Sequence, residues 1–247
     1  KRKLRVNVDT QQWHCWVCDA KGRFITNLIK KFKPGPDIFS ELKSIYQNSF
    51  ETYTTKSKQE FVKLPNEYKP LIVNSDGVTY GHAIKYLAER GITKDDIIKY
   101  NIGYCVDGPY AGRIIIPSYN ANAKLNYFVA RSIYPNKMKY KNPPVSKDVI
   151  IFELFINWNM PIVLCEGVFD AMAIKRNAIP LLGKTITDSL LKRLVNSNVP
   201  EIILALDPDA LATSVKISQT LMRYGLNVSR LTLNDGDPSD IGFTQMQ

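Results

Sequence analysis

The sequence carries three carboxylates in positions where together they could bind a metal ion. Glu166 comes directly after the apolar run 162–165, and Asp207 and Asp209 come directly after the apolar run 202–206. In an open α/β sheet, ligands bind beyond the carboxyl ends of the strands, so these side chains would meet if the two runs form neighbouring strands. Grouped carboxylates repel one another and need a counter-charge, and their hard oxygens suit Mg²⁺ or Mn²⁺. The alternative for Asp209 alone is a helix N-cap, which leaves Glu166 and Asp207 unexplained.

The hydrophobic pattern indicates the elements that would position these carboxylates. From residue 159 onward, short apolar strands alternate with helical segments, which predicts an α/β fold with a parallel sheet flanked by helices. Thr93 is the expected N-cap of one earlier helix, because acidic residues follow it in the first turn. The expected strands are 113–117, 125–133, 162–165, 179–182, 202–206 and 228–233, and the main expected helices are 81–90, 169–176, 188–195 and 210–224.

Breaks in this pattern divide the chain into four expected domains. Pro34-Gly35-Pro36 interrupts it, a helix is expected at 38–48, and the polar stretch 51–60 is typical of a linker. We therefore expect a small unit at 1–33, a helix and linker at 34–70, a basic α+β lobe at 71–158 and the parallel-sheet domain at 159–247.

The charge of the chain is distributed unevenly. Its 247 residues carry 33 Lys and Arg against 23 Asp and Glu, a net charge of +10. The first 150 residues hold 25 of the basic and 13 of the acidic residues, whereas the remainder holds 8 and 10. A basic part beside an acidic part favours polyanion binding next to a cation site. Basic proteins are common, however, so charge alone leaves nucleic-acid binding and ordinary solvation equally open.

Several classes of protein are disfavoured by the composition. No apolar stretch reaches the length of about 18 residues that a membrane helix needs, so we expect no membrane partner. The four cysteines do not form a disulfide framework, and no secretion signal is visible, which favours a reducing cytoplasmic location. The chain begins at Lys1 rather than Met, and we interpret it as a fragment.

Motifs around the carboxylates resemble those of TOPRIM domains. Residues 165–171, Cys-Glu-Gly-Val-Phe-Asp-Ala, resemble the TOPRIM glutamate motif, and residues 206–210, Leu-Asp-Pro-Asp-Ala, resemble its Asp-x-Asp motif. Leu182-Gly183-Lys184-Thr185 matches the glycine turn between them, and residues 237–240 resemble the acidic segment that closes the primase version. TOPRIM domains occur in DnaG-type primases, topoisomerases, OLD-type nucleases and RecR-type proteins.

Motifs upstream of the carboxylates favour one of these families, the primases. Residues 86–92 and 100–104 resemble the Tyr-Leu-x-x-Arg-Gly and Ile-Gly segments of bacterial and phage primases, and 113–117 resembles their Arg-Ile-x-x-Pro strand. The segments that end at Arg131 and Asn142 stand where primases have Gly-Phe-x-x-Arg and Lys-Tyr-Leu-Asn. The resemblance covers roughly residues 71–240. Asn126 and Val129 depart from its glycines, and Lys147 matches its next basic residue only weakly.

The resemblance implies a DNA primase that synthesises short RNA primers on single-stranded DNA. It implies that Glu166, Asp207, Asp209 and Asp240 bind one or two Mg²⁺ or Mn²⁺ ions, with Glu166 acting either as a ligand or as a general base. It also implies that the nucleotide and template are held by a second set of residues: Arg113, Arg131, Lys139 and Asn142. Lys139 is also a candidate catalytic residue. The alternative for the cations is ordinary surface charge. The implied partners are single-stranded DNA, ribonucleoside triphosphates and a replicative helicase, fused or separate.

The N-terminal cysteines resemble half of a primase zinc ribbon. Cys15 and Cys18 have the spacing of one ligand pair, but a structural zinc site needs four ligands. His14 is adjacent to Cys15, which is a poor spacing for joining that site. We therefore expect Zn²⁺ only if the missing ligands are supplied upstream of Lys1. Two free thiols in a small core are the alternative. The short ribbon is typical of a phage or plasmid enzyme, which would place the protein in the host cytoplasm.

Two other classes of function remain as alternatives. A TOPRIM nuclease or topoisomerase would share the acidic motifs, although a topoisomerase needs a separate nucleophilic tyrosine domain and a nuclease would not need the basic segments 71–142. A non-catalytic RecR-like DNA-binding protein would not need the full acidic set. The sequence gives neither the initiation sequence preference nor the oligomeric state.

Overall fold

A computed structural model describes residues 4–7, 11–31 and 62–231. The described residues form two compact units. The smaller unit contains residues 4–7, 11–31 and 219–227, and the larger unit contains residues 62–218 and 228–231. The expected helix 38–48, the expected linker 51–60 and the candidate ligand Asp240 lie outside the described residues. The four expected domain ranges stay a prediction.

The N-terminal residues form a small antiparallel sheet followed by a helix. Strands β1 (Leu4–Val6), β2 (Trp13–Cys15) and β3 (Lys21–Gly22) pair in chain order, and helix α1 (Ile25–Lys31) follows. The Trp13 ring is buried, and its Nε1 donates a hydrogen bond to the Phe24 carbonyl at 2.9 Å. A Cβ atom at Gly22 would lie 2.5 Å from Trp13 Nε1, so this close approach requires glycine.

The larger unit begins with an antiparallel sheet. Strands β4 (Tyr68–Pro70), β5 (Gly103–Cys105), β6 (Arg113–Tyr119) and β7 (Leu125–Ser132) pair in that order. Helices α2 (Val78–Ala88) and α3 (Lys94–Lys99) lie between β4 and β5 in the chain. Helix α2 begins three residues before the expected start at Gly81, with Gly77 as its N-cap.

A parallel sheet follows in the same unit, as the alternating pattern predicted. Its strands are β8 (Ile162–Cys165), β9 (Ala178–Pro180), β10 (Ile202–Ala205) and β11 (Val228–Arg230), in the spatial order β11-β10-β8-β9. Helices α4 (Val168–Ile174), α5 (Asp188–Val195) and α6 (Leu211–Arg223) connect them. Strands β8 and β10 are neighbours, with Cys165 paired to Ala205, so the residues that follow both strands reach the same edge. The predicted α/β fold with a parallel sheet is confirmed.

The two sheets of the larger unit share one hydrophobic core. Ile114, Ile116 and Val129 come to it from the antiparallel sheet, and Phe169 and Met172 come from α4. All five side chains are at most 4% exposed. Burial of a large apolar side chain stabilises the fold by about 1.5–3 kcal/mol, so this core fixes the inner face of the antiparallel sheet against α4.

Asp96 links α3 to the end of α4. Thr93 caps α3, as its position predicted: its Oγ1 accepts from the Asp96 amide, and Asp96 Oδ2 accepts from the Thr93 amide at 2.9 Å. The same carboxylate lies 3.2 Å from Lys175 Nζ. Burial would raise the pKa of Asp96, but the hydrogen bonds from Thr93 and Lys175 outweigh it and lower the pKa. The stabilisation is therefore present above the usual carboxyl pKa and is lost as pH falls through the lowered value.

We expect Asp96→Ala to lower the free energy of unfolding by about 2 kcal/mol at neutral pH, because the cap is lost and Lys175 loses its partner. Asp95→Ala removes an exposed carboxylate from the same turn and should cost less than about 1 kcal/mol. Urea unfolding measures both, and the deficit of Asp96→Ala should shrink in acid. Equal costs for the two variants would contradict the assigned link.

Candidate active site

The structure brings the three predicted carboxylates together. Glu166 follows β8, and Asp207 and Asp209 follow β10. Each offers one oxygen atom, and these atoms all lie within 4.8 Å of one another. Pro208 begins a short 3-10 turn that carries Asp209 at the tip of the strand. We call these three residues the acidic cluster.

The electrostatics of the acidic cluster fit a bound cation. Burial raises the pKa of Glu166, and the neighbouring carboxylate of Asp207 raises it further. Glu166 Oε1 is buried and has no hydrogen-bond partner among the described residues. A buried acceptor without a partner is costly, and a cation with oxygen ligands would satisfy it. The donor set therefore suits a hard divalent ion such as Mg²⁺ or Mn²⁺.

Lys184 contributes a positive charge that the site prediction did not include. Its Nζ lies 3.1 Å from Asp209 Oδ2, and hydrogen bonding to Asp209 raises the pKa of Lys184. The lysine follows a tight turn in which Leu182 has a φ of 52° and Gly183 a φ of 152°. The sequence showed the turn but not which neighbouring strand it would face.

Asp170, the second acid of the glutamate motif, has a structural role. Its Oδ2 accepts a hydrogen bond from the Gly167 amide at 2.8 Å, which caps the start of α4. The side chain is buried beside the site. This bond fixes the backbone immediately after Glu166.

A cleft of about 480 Å³ opens in front of the acidic cluster. The acids that line it are Glu166, Asp170 and Asp207, and cationic and polar side chains line it as well. These cationic and polar side chains, which we call the basic wall, are Arg90, Arg131, Tyr140, Asn142 and Lys147. Opposite charges across a cleft of this size suit a ligand that carries both phosphates and a metal ion.

Aromatic rings hold the two arginines of the basic wall. Arg131 Nε donates to Tyr86 Oη at 2.9 Å, and its guanidinium lies 4.7 Å from the centre of the Tyr140 ring. The guanidinium of Arg90 lies 5.0 Å from the Tyr86 ring and 4.9 Å from the Phe169 ring. Stacking on aromatic faces restrains a guanidinium without using all of its donors. Both arginines are therefore oriented in advance of any ligand.

Arg113, one of the residues implied to hold the nucleotide and template, lies on the opposite face of its sheet from Arg131. In the β6–β7 ladder, Ile114 is opposite Arg131, so Arg113 projects to the other face of the sheet. It is 5% exposed, and its guanidinium donates to the carbonyls of Met138 and Lys139. Arg113 therefore does not share the face of Arg131, and it holds the backbone of the segment before Tyr140.

Lys139 and Asn142 differ in placement. Lys139 is exposed and does not line the cleft, whereas its neighbour Tyr140 does. Asn142 lines the cleft and accepts a hydrogen bond from the Ala130 amide at 3.3 Å. Tyr140 forms a bridge with Arg131, so side chains alternate along this segment and only every second one turns inward. Of the four predicted phosphate-binding residues, Arg131 and Asn142 are brought to the cleft.

The N-terminal cysteines have no visible ligand set within the described ranges. Cys15 is half-buried, Cys18 is exposed, and they form no disulfide. His14 Nε2 lies 2.7 Å from Asp19 Oδ1, and its ring packs edge-on to Trp16. Among the described residues, the acidic cluster is where three or more potential metal ligands meet. The expectation that zinc needs ligands from upstream stays a prediction.

Comparisons with known proteins point to one family of enzymes. No family model matches the sequence. The DNA primase of Halalkalibacterium halodurans is 23% identical over 309 aligned positions, which cover 95% of this chain and 49% of that protein. The crystal structure of Aquifex aeolicus primase with its zinc-binding and RNA polymerase domains matches with a TM-score of 0.56 and 18% identity, over 98% of this chain and 72% of that one. The chain resembles DnaG-type DNA primases.

A second structure agrees with this resemblance. A DnaG primase catalytic domain bound to single-stranded DNA matches with a TM-score of 0.56 and 17% identity, over 67% of this chain and 68% of that one. At such identities the structural matches show the shared fold. The chain spans about half the length of the Halalkalibacterium DNA primase. The helices that the structure describes are all too short or too polar to cross a bilayer.

The DnaG-type resemblance also indicates which signals could have identified the missed residues. Arg90 lies in the Tyr-Leu-x-x-Arg-Gly motif at residues 86–91, which is a signal of the family and also supplies a residue of the cleft. Tyr140 lies between two predicted site residues. Lys147 was noted as a weak match and does line the cleft. Each of these residues lies in or near a short motif of the sequence. The cleft that brings the three residues together forms only when the two sheets pack.

Glu166→Gln should stabilise the fold when no divalent ion is present. Because the folded-state pKa of Glu166 is raised, its charge costs stability above the usual carboxyl pKa, and this cost disappears as pH falls. We expect a gain of about 0.5–1 kcal/mol at neutral pH, after allowance for solvent screening. Thermal unfolding in EDTA measures it.

Magnesium ions should reverse the order of stability. The wild type should gain more stability from Mg²⁺ than Glu166→Gln does, because the variant lacks one ligand charge. Glu201→Gln is the matched control, since Glu201 precedes β10 at the end of the sheet remote from the cluster. A Glu166→Gln protein that is less stable than wild type in EDTA, with an unchanged response to Mg²⁺, would contradict the electrostatic description.

Proposed function

We propose that the chain is the catalytic part of a DNA primase, which synthesises RNA primers on single-stranded DNA in a Mg²⁺- or Mn²⁺-dependent nucleotidyl transfer. The observation that carries this proposal is one cleft lined both by Glu166 and Asp207 of the acidic cluster and by the basic wall. A reaction between a nucleoside triphosphate and a primer 3′-hydroxyl group needs both charges at one place. The parallel sheet that bears the acidic cluster is proposed to be a TOPRIM domain.

The acidic cluster is proposed to hold the divalent ions. Glu166, Asp207 and Asp209 supply oxygens within 4.8 Å of one another, and Asp240 is proposed as a further ligand. When bound, the ions neutralise and orient the triphosphate and its pyrophosphate leaving group. The raised pKa of Glu166 also brings this carboxylate nearer to the range of a general base, the other role proposed for it.

The basic wall is proposed to hold phosphates. Arg90 and Arg131 line the cleft and are restrained by aromatic rings, and Lys147 and Asn142 line the same cleft. Bidentate guanidinium contacts suit phosphate oxygens and carry no base-sequence information, as expected for the template backbone and the triphosphate. Arg113 acts indirectly in this proposal, by fixing the backbone of 138–139.

The partners are proposed from charge and resemblance together. A similar structure binds single-stranded DNA, and the first 150 residues of this chain carry a large excess of Lys and Arg. Exposed Lys139 is proposed as an additional template contact and as a candidate catalytic residue. Template affinity should then fall as salt rises, because cations on the DNA are released on binding. Ribonucleoside triphosphates are the proposed substrates, and a replicative helicase is the proposed partner.

Asp207→Asn and Asp209→Asn should each reduce primer synthesis at least about 100-fold, because each removes a metal-binding charge from the cluster at nearly constant volume. Asp95→Asn, at an exposed position on α3, should retain wild-type synthesis. The measurement is ribonucleotide incorporation on single-stranded DNA with Mg²⁺, beside a DNA-cleavage control.

The two assays distinguish the alternatives. Synthesis by the wild type that is lost in both cluster variants supports the primase. Metal-dependent cleavage without synthesis would instead indicate a TOPRIM nuclease. DNA binding with neither activity would indicate a RecR-like binding protein. Thermal unfolding of each variant confirms that lost activity does not reflect a lost fold.

A further inference from the structure

The ion pair between Lys184 and Asp209 places an ammonium group within the proposed metal site. Lys184 Nζ lies 3.1 Å from Asp209 Oδ2, and Asp209 is one of the three carboxylates of the acidic cluster. The charges of Glu166 and Asp207 add to the attraction. A divalent ion bound by all three residues would take an oxygen of Asp209, and the ammonium group already engages Oδ2 of that carboxylate. Lysine and ion therefore compete for one carboxylate.

The fold positions this lysine across the cluster. The amides of Leu181 and Leu182 donate to the carbonyls of Cys165 and Glu166 at 2.9 and 3.0 Å, so the turn is attached to β8 up to the site itself. Gly183 has a φ of 152°, which only glycine adopts readily, and Lys184 follows it directly. Strands β9 and β10 flank β8, so the ion pair joins the turns on its two sides.

The Lys184 side chain can exchange Asp209 for another anionic partner. Lys184 is 50% exposed and Asp209 is 74% exposed, so the pair lies in solvent and is weak. A lysine ammonium is a compact charge on a flexible stem, with three donors that can turn to a new acceptor. If an ion takes Asp209, the backbone still holds the ammonium beside the site. The anion then available to it is the ligand of that ion.

We propose that Lys184 is a displaceable counter-cation of the acidic cluster: it neutralises Asp209 until a divalent ion binds, is displaced by the ion, and then contacts the phosphates of the bound nucleotide. The displacement step requires only the metal site. The phosphate step rests on the proposed function, because it requires a metal-bound nucleotide in the cleft. Lys184 would thus leave Asp209 when the ion binds and contact the nucleotide phosphates instead.

Removal of the Lys184 charge should raise the affinity of the protein for a divalent ion and lower its affinity for ATP. Lys184→Gln should bind a divalent ion alone about two- to fivefold more tightly, since an exposed ion pair no longer competes. The same variant, saturated with that ion, should bind ATP about three- to tenfold more weakly, since a charge-assisted hydrogen bond is lost. A lysine that merely supports the local fold would weaken both interactions.

The first experiment is a titration of the 247-residue chain with Mn²⁺ alone, at constant ionic strength, with free Mn²⁺ read from its electron paramagnetic resonance signal. Lys184→Arg keeps the charge and should bind Mn²⁺ as the wild type does. Lys192→Gln is the matched control, because it removes an exposed lysine from α5 of the same sheet domain. Asp209→Asn should weaken Mn²⁺ binding, which verifies that the measured ion is at the cluster.

The second experiment measures ATP binding to the same proteins at saturating Mn²⁺. Tighter Mn²⁺ and weaker ATP in Lys184→Gln, with Lys192→Gln unchanged, support both steps. Unchanged or weaker Mn²⁺ binding in Lys184→Gln overturns the displacement step, and unchanged ATP binding overturns the phosphate step. The primase proposal is judged separately: a Mn²⁺ shift in a protein that makes no primers supports the counter-cation and refutes the primase.

Discussion

Glu166, Asp207 and Asp209 bring three carboxylates to one edge of a parallel sheet, with oxygens within 4.8 Å of one another. The strands that carry them are neighbours in register, and strand residues such as Ile162, Leu164 and Leu204 are at most 1% exposed. The strands therefore cannot separate without exposing core side chains, and the carboxylates cannot relieve their repulsion by moving apart. A cation has to compensate, and Lys184 Nζ lies 3.1 Å from Asp209 Oδ2.

The antiparallel sheet contributes residues to the cleft from one of its two faces. Its inner face buries Ile114, Ile116 and Val129 against α4, and the same face turns Arg131 toward the cleft. The outer face takes Arg113, which then stabilises the chain segment before Tyr140. Because side chains alternate between the two faces of a strand, Arg131 reaches the cleft, whereas Arg113 hydrogen-bonds to the backbone on the other face. The aromatic rings of Tyr86, Tyr140 and Phe169 restrain the arginines that line the cleft.

The local chemistry of the site was predictable from the sequence, and its three-dimensional surroundings were only partly so. The apolar strands and the acids that follow them predicted the sheet and the acidic cluster, because parallel strands end at one edge. The Thr93 cap was predictable because capping depends on residues only three positions apart. A resemblance of motifs does not specify the face of a strand, so it could not show that Arg113 lies on the opposite face from Arg131. Arg90 and Lys184 were missed because their neighbours come from distant segments, α4 in one case and the turn after β10 in the other.

The most direct test is a crystal structure of the chain with Mn²⁺ and ATP, with the ion located by its anomalous scattering at the manganese absorption edge. We expect an anomalous peak coordinated by Glu166, Asp207 and Asp209, with the triphosphate between this ion and the guanidinium groups of Arg90 and Arg131. A fully occupied manganese elsewhere in the chain, or a triphosphate bound away from these arginines, would contradict it.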